Sequence, residues 1–205
     1  MKADLGWRGR SVTLNSREYR SQLKKLIRDR QKVYSWLNAC WQLRKCTKVG
    51  RWPRLDGSIF IHNEGQIILG EHLLLHSRYA HTVLTTFGDG CLEIGDRTFI
   101  NYGVDIAATK LIKIGSDCLI GTHVSILDND YHDVKAHKLF PPARPVTIGN
   151  KTWIGNRVII LPGVTIGEGV TIGAGSVVTK NIPDYSVAVG NPARVVRKLD
   201  QDNEQ

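Results

Sequence analysis

The sequence predicts an all-β solenoid, in which short parallel strands stack in successive coils, with an amphipathic helical segment in front of it. Two observations support this prediction. Aliphatic residues recur at intervals of six over much of the chain, whereas the first 56 residues lack the repeat and are strongly basic. A period of six fits neither the 3.6-residue turn of an α-helix nor the 3.5-residue period of a coiled coil, so helical packing does not explain it.

The repeat is strictest in the C-terminal third of the chain. Glycine follows the aliphatic residue in four of these C-terminal repeats. An earlier tract has the same spacing, with a slip of two residues between Ile106 and Ile114. The aliphatic positions of both tracts are Ile94, Ile100, Ile106, Ile114, Ile120, Ile126, Ile148, Ile154, Ile160, Ile166, Ile172 and Val178.

A six-residue repeat has a direct physical meaning. One aliphatic side chain per repeat points into a narrow interior, and glycine or aspartate supplies backbone freedom at the bend that follows. Three repeats close one coil, and stacked coils pair their strands in parallel, so the core is a column of Ile and Val. The N-terminal helix and a short C-terminal cap are expected to cover the open ends of the stack.

Length and composition indicate one globular core with an appendage. The chain has 205 residues, of which 41% are hydrophobic and 23% charged. No apolar run is long enough to span a bilayer, and the start, MKADLGWRGR, lacks the apolar region of a secretory signal. We therefore expect a cytoplasmic protein. Its four scattered cysteines have no metal-ligand spacing and are expected to be free thiols.

The positive charge is concentrated at the N-terminus. Residues 1–56 hold 15 of the 28 Lys and Arg residues but 4 of the 19 Asp and Glu residues. From about Ser16 to Cys46, apolar residues recur at threes and fours, which predicts an amphipathic helix in one piece or two. This helix either docks on the body with a charged face toward water, or lies at an anionic membrane surface with Trp36 and Trp41 near headgroup depth. No nucleic-acid partner is expected, because no binding motif accompanies the charge.

The repeat is interrupted once, by the segment LDNDYHDVKAHKLFPPARPVT between Ile126 and Ile148. A long excursion from a regular solenoid is more often functional than accidental. The chain then divides into a basic helical segment at 1–56, a solenoid at 57–199 with an inserted loop at 127–145, and a polar tail at 200–205.

The stretch PVTIGNKTWIGNRVIILPGVTIGEGVTIGAGSVVTKNIPDYSVAVGNPARVVRKL resembles the C-terminal half of the hexapeptide-repeat acyltransferases. That family includes the maltose, galactoside and capsular-polysaccharide O-acetyltransferases, and the resemblance extends over residues 57–199. It implies a left-handed parallel β-helix, an exception to the right-handed crossover rule that spacing alone does not reveal. It also implies acetyl-CoA as acyl donor, a homotrimer and no metal.

Transfer of an acetyl group to a sugar hydroxyl needs a base that removes the hydroxyl proton, and the pKa of histidine suits this task. In similar enzymes the catalytic histidine lies on this loop just before the Pro-Val/Ile-x-Ile-Gly step, and DNDYHD has His132 there. His137 is the nearest alternative but lacks the preceding Asn-Asp. Asp130 or Asp128 is expected to orient the imidazole or to bind a sugar hydroxyl, unless each is a solvated loop carboxylate.

The resemblance implies roles for other residues as well. Trp153 is expected to position the catalytic histidine, and Asn101 to contact the acceptor. Glycine-rich coils leave a groove for the pantetheine arm of the cofactor, and cations nearby suit its phosphates. The implied cofactor contacts are Asn156, Gly173, Ala174, Thr179, Lys180, Arg194 and Arg197.

The acceptor expected from the basic helix is a cell-envelope glycan or its lipid-linked precursor at the inner membrane surface. Three alternatives remain open at this point. One is N-acetylation of a nucleotide-linked amino sugar, and another is a non-catalytic scaffold. The third is a metal hydratase like γ-carbonic anhydrase, since His132 and His137 have the separation of two of its ligands, although they lie beside Pro141 and Pro142 rather than on regular coils.

Overall fold

One long helix precedes a series of short strands in the computed structural model, which describes residues 16–133, 135 and 141–200. Helix α1 covers Ser16–Gln42 in one piece, and a 3₁₀ turn follows at Leu43–Lys45. The strands are β1 (Lys48–Val49), β2 (Arg54–Asn63), β3 (Gln66–Leu69), β4 (Leu74–Thr86), β5 (Cys91–Ile94), β6 (Phe99–Ile100), β7 (Asp105–Ala108), β8 (Leu111–Ile114), β9 (Leu119–Ile120), β10 (Ser125–Leu127), β11 (Val146–Ile148), β12 (Trp153–Ile154), β13 (Ile159–Ile160), β14 (Thr165–Ile166), β15 (Thr171–Ile172), β16 (Val177–Val178), β17 (Ser186–Val189) and β18 (Arg194–Lys198).

The strands form the three faces of a parallel solenoid. The first face carries β1, β3, β5, β8, β11 and β14 in that order. The second face carries the first parts of β2 and β4, followed by β6, β9, β12, β15 and β17. The third face carries the last parts of β2 and β4, followed by β7, β10, β13 and β16. Because the strands of successive coils pair in parallel, the predicted parallel β-helix is confirmed.

Each six-residue repeat supplies one strand, and its aliphatic residue points inward. On the second face, Ile100, Ile120, Ile154 and Ile172 lie above one another in register. All four side chains are fully buried. Burial of one such side chain contributes about 1.5–3 kcal/mol. A continuous column therefore stabilises the fold, rather than one central cluster.

The bends between faces depend less on glycine than the sequence suggests. The bends that follow β5, β8 and β11 have left-handed φ angles of 54° at Arg97, 59° at Asp117 and 55° at Lys151. Residues with side chains rarely adopt this region. Each of the three residues donates its backbone N–H to a carbonyl of the preceding coil at 2.8 to 2.9 Å, which offsets a local strain of about 1–2 kcal/mol. Glycine serves close approach instead, since a Cβ at Gly155 would lie 2.7 Å from the backbone nitrogen of Ala174.

Helix α1 covers the open end of the solenoid, where its C-terminal half packs on β2. The side-chain amide of Asn38 donates hydrogen bonds to the carbonyls of Leu55 and Gly57, at 3.0 and 2.7 Å. The side-chain oxygen of Gln42 accepts the backbone N–H of Ile59 at 2.9 Å. These side-chain amides form hydrogen bonds with backbone groups at the edge of β2, which has no further coil to pair with.

The solenoid begins before residue 56, because β1 starts at Lys48 and pairs in parallel with β3. The first coil needs this strand to complete its three faces. At the other end, β17 pairs in parallel with β15 and antiparallel with β18. This hairpin closes the stack as the short cap that the sequence predicts, and residues 201–205 of the polar tail lie outside the described residues.

Replacing Ile160 with alanine is expected to lower the free energy of unfolding by about 3 kcal/mol. Its side chain is fully buried in the column, so truncation removes apolar contacts and leaves a cavity. Its neighbour Ile159 points outward and is 40% exposed. The matched control Ile159→Ala should therefore cost about 1 kcal/mol or less. Denaturant unfolding followed by circular dichroism measures both, and equal losses would contradict the inward position of Ile160.

Candidate active site

The inserted loop (residues 127–145) leaves the solenoid where the third face meets the first, between β10 and β11. Asp128, at the base of this loop, is fully buried. Its carboxylate accepts hydrogen bonds from the backbone N–H groups of Thr109, Lys110 and Leu111 at 2.7 to 2.8 Å. Hydrogen bonds to a carboxylate are stronger than those between neutral groups. Asp128 therefore holds the base of the loop on the preceding coil.

Side chains within the loop hold its two arms together. The amide of Asn129 donates to the carbonyl of Pro141 at 2.9 Å, and its oxygen accepts the backbone N–H of Tyr131 at 2.6 Å. Asp130 forms an exposed ion pair with Arg144, with 3.0 Å between the nitrogen and the carboxylate oxygen. Asp130, a candidate for orienting the imidazole, is thus engaged by a guanidinium on the other arm.

His132 lies on this braced segment and is exposed. Its backbone N–H donates to the carbonyl of Asp130 at 2.7 Å, in a tight turn centred on Tyr131, whose backbone is left-handed with a φ of 59°. A general base must come within about 3 Å of the group whose proton it takes. The imidazole of His132 is exposed and its backbone is fixed by hydrogen bonds, so it can approach such a group without losing buried contacts. His137, the alternative base, lies outside the described residues.

Tyr131 is part of the inserted loop, packs near an aromatic ring of the solenoid, and was not singled out from the sequence. Its ring lies 6.1 Å from that of Phe87, nearly perpendicular to it. Burial raises the pKa of Tyr131, and the carboxylates of Asp128 and Asp105 raise it further. The phenol therefore stays protonated at neutral pH. The signal available in the sequence was its position directly before His132 in NDYHD.

A column of small residues lies at the corner between the second and third faces. Asn101, Gly121, Gly155 and Gly173 each follow an inward isoleucine of β6, β9, β12 or β15, so they lie above one another. We call these four positions, with the exposed Ala174, the glycine corner. Three of the four column positions are glycine, because a Cβ at Gly121 or Gly155 would lie within 3 Å of the backbone of the next coil, and Gly121 and Gly173 are partly exposed. The predicted acceptor residue and two predicted cofactor residues share this corner.

The predicted cofactor cations lie on the last coils. Thr179 and Lys180 follow β16 at the same corner from which the inserted loop leaves, whereas Arg194 and Arg197 lie on β18. All four side chains are exposed, and so is Asn156 next to the glycine corner. Exposed guanidinium and ammonium groups on the last coils suit a ligand that carries phosphates.

Trp153 lies apart from the inserted loop in the single chain. The inserted loop and the glycine corner flank the third face on its two sides, whereas Trp153 points outward from the second face on β12. The loop leaves the solenoid at the corner opposite that second face. One chain therefore does not bring Trp153 to the base of the loop that carries His132.

Relatives identify the family of the chain. The family model of the bacterial transferase hexapeptide (six repeats) matches residues 145–180. WbbJ of Escherichia coli K12, named as a lipopolysaccharide biosynthesis O-acetyl transferase, is 33% identical over 154 residues, which are 70% of this chain and 77% of that protein. The chain belongs to the hexapeptide-repeat transferase family. The predicted membership of the hexapeptide-repeat acyltransferases is confirmed.

Two further similarities differ in what they establish about this hexapeptide-repeat chain. The polysialic acid O-acetyltransferase of Escherichia coli O1:K1 is 35% identical over 127 residues, which are 60% of this chain and 41% of that relative. The chain thus spans less than half of the second protein. The hexapeptide-repeat acetyltransferase VCA0836 of Vibrio cholerae, solved with acetyl coenzyme A, matches with a TM-score of 0.58 at 23% identity and covers 84% of this chain and 85% of that one. This second likeness shows a shared fold.

Two features are absent from the part of this hexapeptide-repeat chain that the structure describes. No group of three or more His, Cys, Asp or Glu side chains is placed there to hold a metal ion. The hydratase alternative paired His132 with His137, which lies outside that part. Nor does any helix of residues 16–133, 135 and 141–200 have the length and apolarity needed to cross a bilayer.

Proposed function

We propose that this hexapeptide-repeat protein is an acetyl-CoA-dependent O-acetyltransferase acting on a sugar hydroxyl of a cell-envelope glycan or its lipid-linked precursor. The observation that carries the proposal is an exposed histidine, His132, on a braced loop across one face from the glycine corner. The names of two relatives support the reaction and the polymeric acceptor, since both are named as O-acetyltransferases, one of lipopolysaccharide biosynthesis and one of polysialic acid.

His132 is proposed to act as the general base. Its neutral imidazole accepts the proton of the sugar hydroxyl as the hydroxyl oxygen bonds to the carbonyl carbon of the thioester. The tetrahedral intermediate then collapses, the carbon–sulfur bond breaks, and the imidazolium returns the proton to the departing thiolate. The products are an O-acetyl ester and free coenzyme A, and the histidine ends neutral as it began.

Acetyl-CoA is proposed to lie along the glycine corner. Gly173 and Ala174 offer no bulk against a thin pantetheine arm, whose amides need main-chain partners. The nucleotide phosphates would meet Lys180, Arg194 and Arg197, which are exposed. Asn101, at the start of the same corner, is proposed to contact the acceptor.

The active form is proposed to be a homotrimer in which neighbouring chains complete the site. Phe99, Leu119 and Trp153 form an outward column on the second face, and the last two are exposed. A contiguous apolar column on a soluble domain is typical of an interaction surface. In a closed ring of three identical chains, each subunit presents this surface to a different surface of its neighbour. Contact across this column would let Trp153 of one chain position the loop of the next.

Leu119→Asp is expected to dissociate the trimer, weakening assembly about 100-fold or more, because the interface would bury an unpaired carboxylate. Size-exclusion chromatography with light scattering measures the mass of wild type and variant. The control Val196→Asp makes the same kind of change on the exposed strand β18 and should leave the mass unchanged. A monomeric wild-type protein would contradict the proposed assembly.

The reaction is tested by release of free thiol from acetyl-CoA against a panel of sugars, oligosaccharides and lipid-linked glycans. We expect acceptor-dependent release and a product that mild alkali cleaves, because esters are labile and amides persist. An alkali-stable product would favour N-acetylation of an amino sugar instead. Thiol release that no acceptor stimulates would contradict the proposal.

A further inference from the structure

Helix α1 carries apolar side chains that are exposed and do not pack on the described part of the solenoid. Val33, Leu37 and Trp41 recur at intervals of four, so they lie along one side of the helix. They are 56%, 54% and 68% exposed. Ala39 and Leu43 are buried against the first coil. The segment therefore has two apolar sides, and contact with the solenoid explains one of them.

The position of α1 directs its second apolar side away from the molecule. The helix lies along the free edge of β2, to which Asn38 and Gln42 donate or accept hydrogen bonds. Those bonds orient one side of the helix toward the first coil. The other side of the helix forms the end surface of the solenoid. This holds for the side chains that the structure describes, which are those of residue 24 and of most of residues 29–200.

Two tryptophans extend this surface beyond the helix. Trp52 is exposed, and its ring lies 6.0 Å from that of Trp36. Cavities of about 500 Å³ and about 390 Å³ open beside these two rings. Indole rings are enriched where proteins meet the headgroup region of bilayers. We define the end patch as Val33, Trp36, Leu37, Trp41 and Trp52.

Basic side chains surround the end patch. Lys32, Lys48 and Arg54 line the two cavities together with the tryptophans. The guanidinium of Arg44 lies 3.7 Å from the centre of the Trp41 ring. This arrangement joins apolar rings to cations on a single surface, in the most basic part of the sequence.

We propose that the end patch rests on the surface of an anionic lipid bilayer, with its indole rings among the headgroups and its basic side chains on lipid phosphates. An apolar side flanked by Lys and Arg is the chemistry of helices that lie in the membrane interface. Each such cation strengthens binding to an anionic surface about five-fold. A second copy of the chain is a poorer occupant, because it would bring two basic surfaces together. The inference does not depend on acyl transfer or on His132.

The experiment is co-sedimentation of the full chain with vesicles. One set contains phosphatidylglycerol and phosphatidylcholine in equal parts, and the other contains phosphatidylcholine alone. We expect binding to the anionic vesicles, little binding to the neutral ones, and a loss of about ten-fold or more at high salt. Leu37→Ser should weaken binding about ten-fold, and Lys48→Glu by at least about ten-fold.

Matched controls lie at the other end of the solenoid. Val196→Ser and Lys198→Glu make the same kinds of change on exposed positions of β18 and should bind like wild type. Equal binding to both vesicle types, no binding to the anionic vesicles, or equal losses in the controls would overturn the proposal. A smaller oligomer for Leu37→Ser without vesicles would also overturn it and assign the patch to a second copy. Circular dichroism verifies that each variant is folded.

Discussion

Replacing His132 with alanine is expected to lower kcat for acetyl transfer by about 10²- to 10⁴-fold. Alanine cannot accept the hydroxyl proton, so the attacking oxygen would have to lose it to water. The KM for acetyl-CoA should stay close to that of wild type, because the glycine corner and its cations are untouched. Steady-state thiol release with a saturating acceptor measures both constants.

A second exposed histidine provides the control for this change. His81 lies on β4, where its ring nitrogen is 2.8 Å from the hydroxyl of Ser58. His81→Ala should retain wild-type kcat. His132→Ala should also unfold at the wild-type temperature, because the side chain it removes is exposed. Wild-type kcat in His132→Ala would remove this imidazole from the chemistry and leave His137 as the candidate base.

Replacing Asp128 with alanine is expected to lower the free energy of unfolding by about 4 kcal/mol or more. Three backbone N–H groups would lose their acceptor, and each buried donor without a partner costs about 1–3 kcal/mol. The same change frees the base of the inserted loop from the coil below it. We therefore expect kcat to fall as well, although Asp128 contacts no substrate in the proposed reaction. Chemical unfolding and the thiol-release assay measure the two effects.

A carboxylate two positions away provides the contrast for Asp128. Asp130 is paired with Arg144 at the surface, and exposed ion pairs contribute about 1 kcal/mol or less. Asp130→Ala should therefore leave stability nearly unchanged. Asp128→Asn should fall between wild type and Asp128→Ala, because one amide oxygen still accepts hydrogen bonds. Similar stability of Asp128→Ala and Asp130→Ala would contradict the anchoring role.

The six-residue spacing predicted the core because it determines the direction of each side chain. One position in every repeat must point inward when three repeats close a coil. Ile120, Ile154 and Ile172 are accordingly stacked and fully buried. The interruption of the same spacing located the inserted loop, since no inward position can be assigned between Ile126 and Ile148.

The sequence pattern did not predict the backbone conformation of the bends or the contacts at the base of the loop. Arg97 and Lys151 adopt left-handed backbone although neither residue type favours it. Their compensation is a hydrogen bond to the preceding coil, which exists only after the coils have stacked. From the sequence alone, Asp128 resembles any loop carboxylate, because its three backbone donors are known only from the structure.

The sequence by itself determined the period, the β-helix and the family, and it predicted the histidine on which the proposed chemistry rests. The tertiary structure alone decided which carboxylate anchors the loop, that the ring of Tyr131 packs near Phe87, and that Trp153 lies on another face. It also showed that, among the described residues, α1 has an apolar side that is exposed. The reason is physical: these features depend on contacts across coils, such as that of Asp128 with Thr109, 19 positions away. The spacing of residues along the sequence does not predict such contacts.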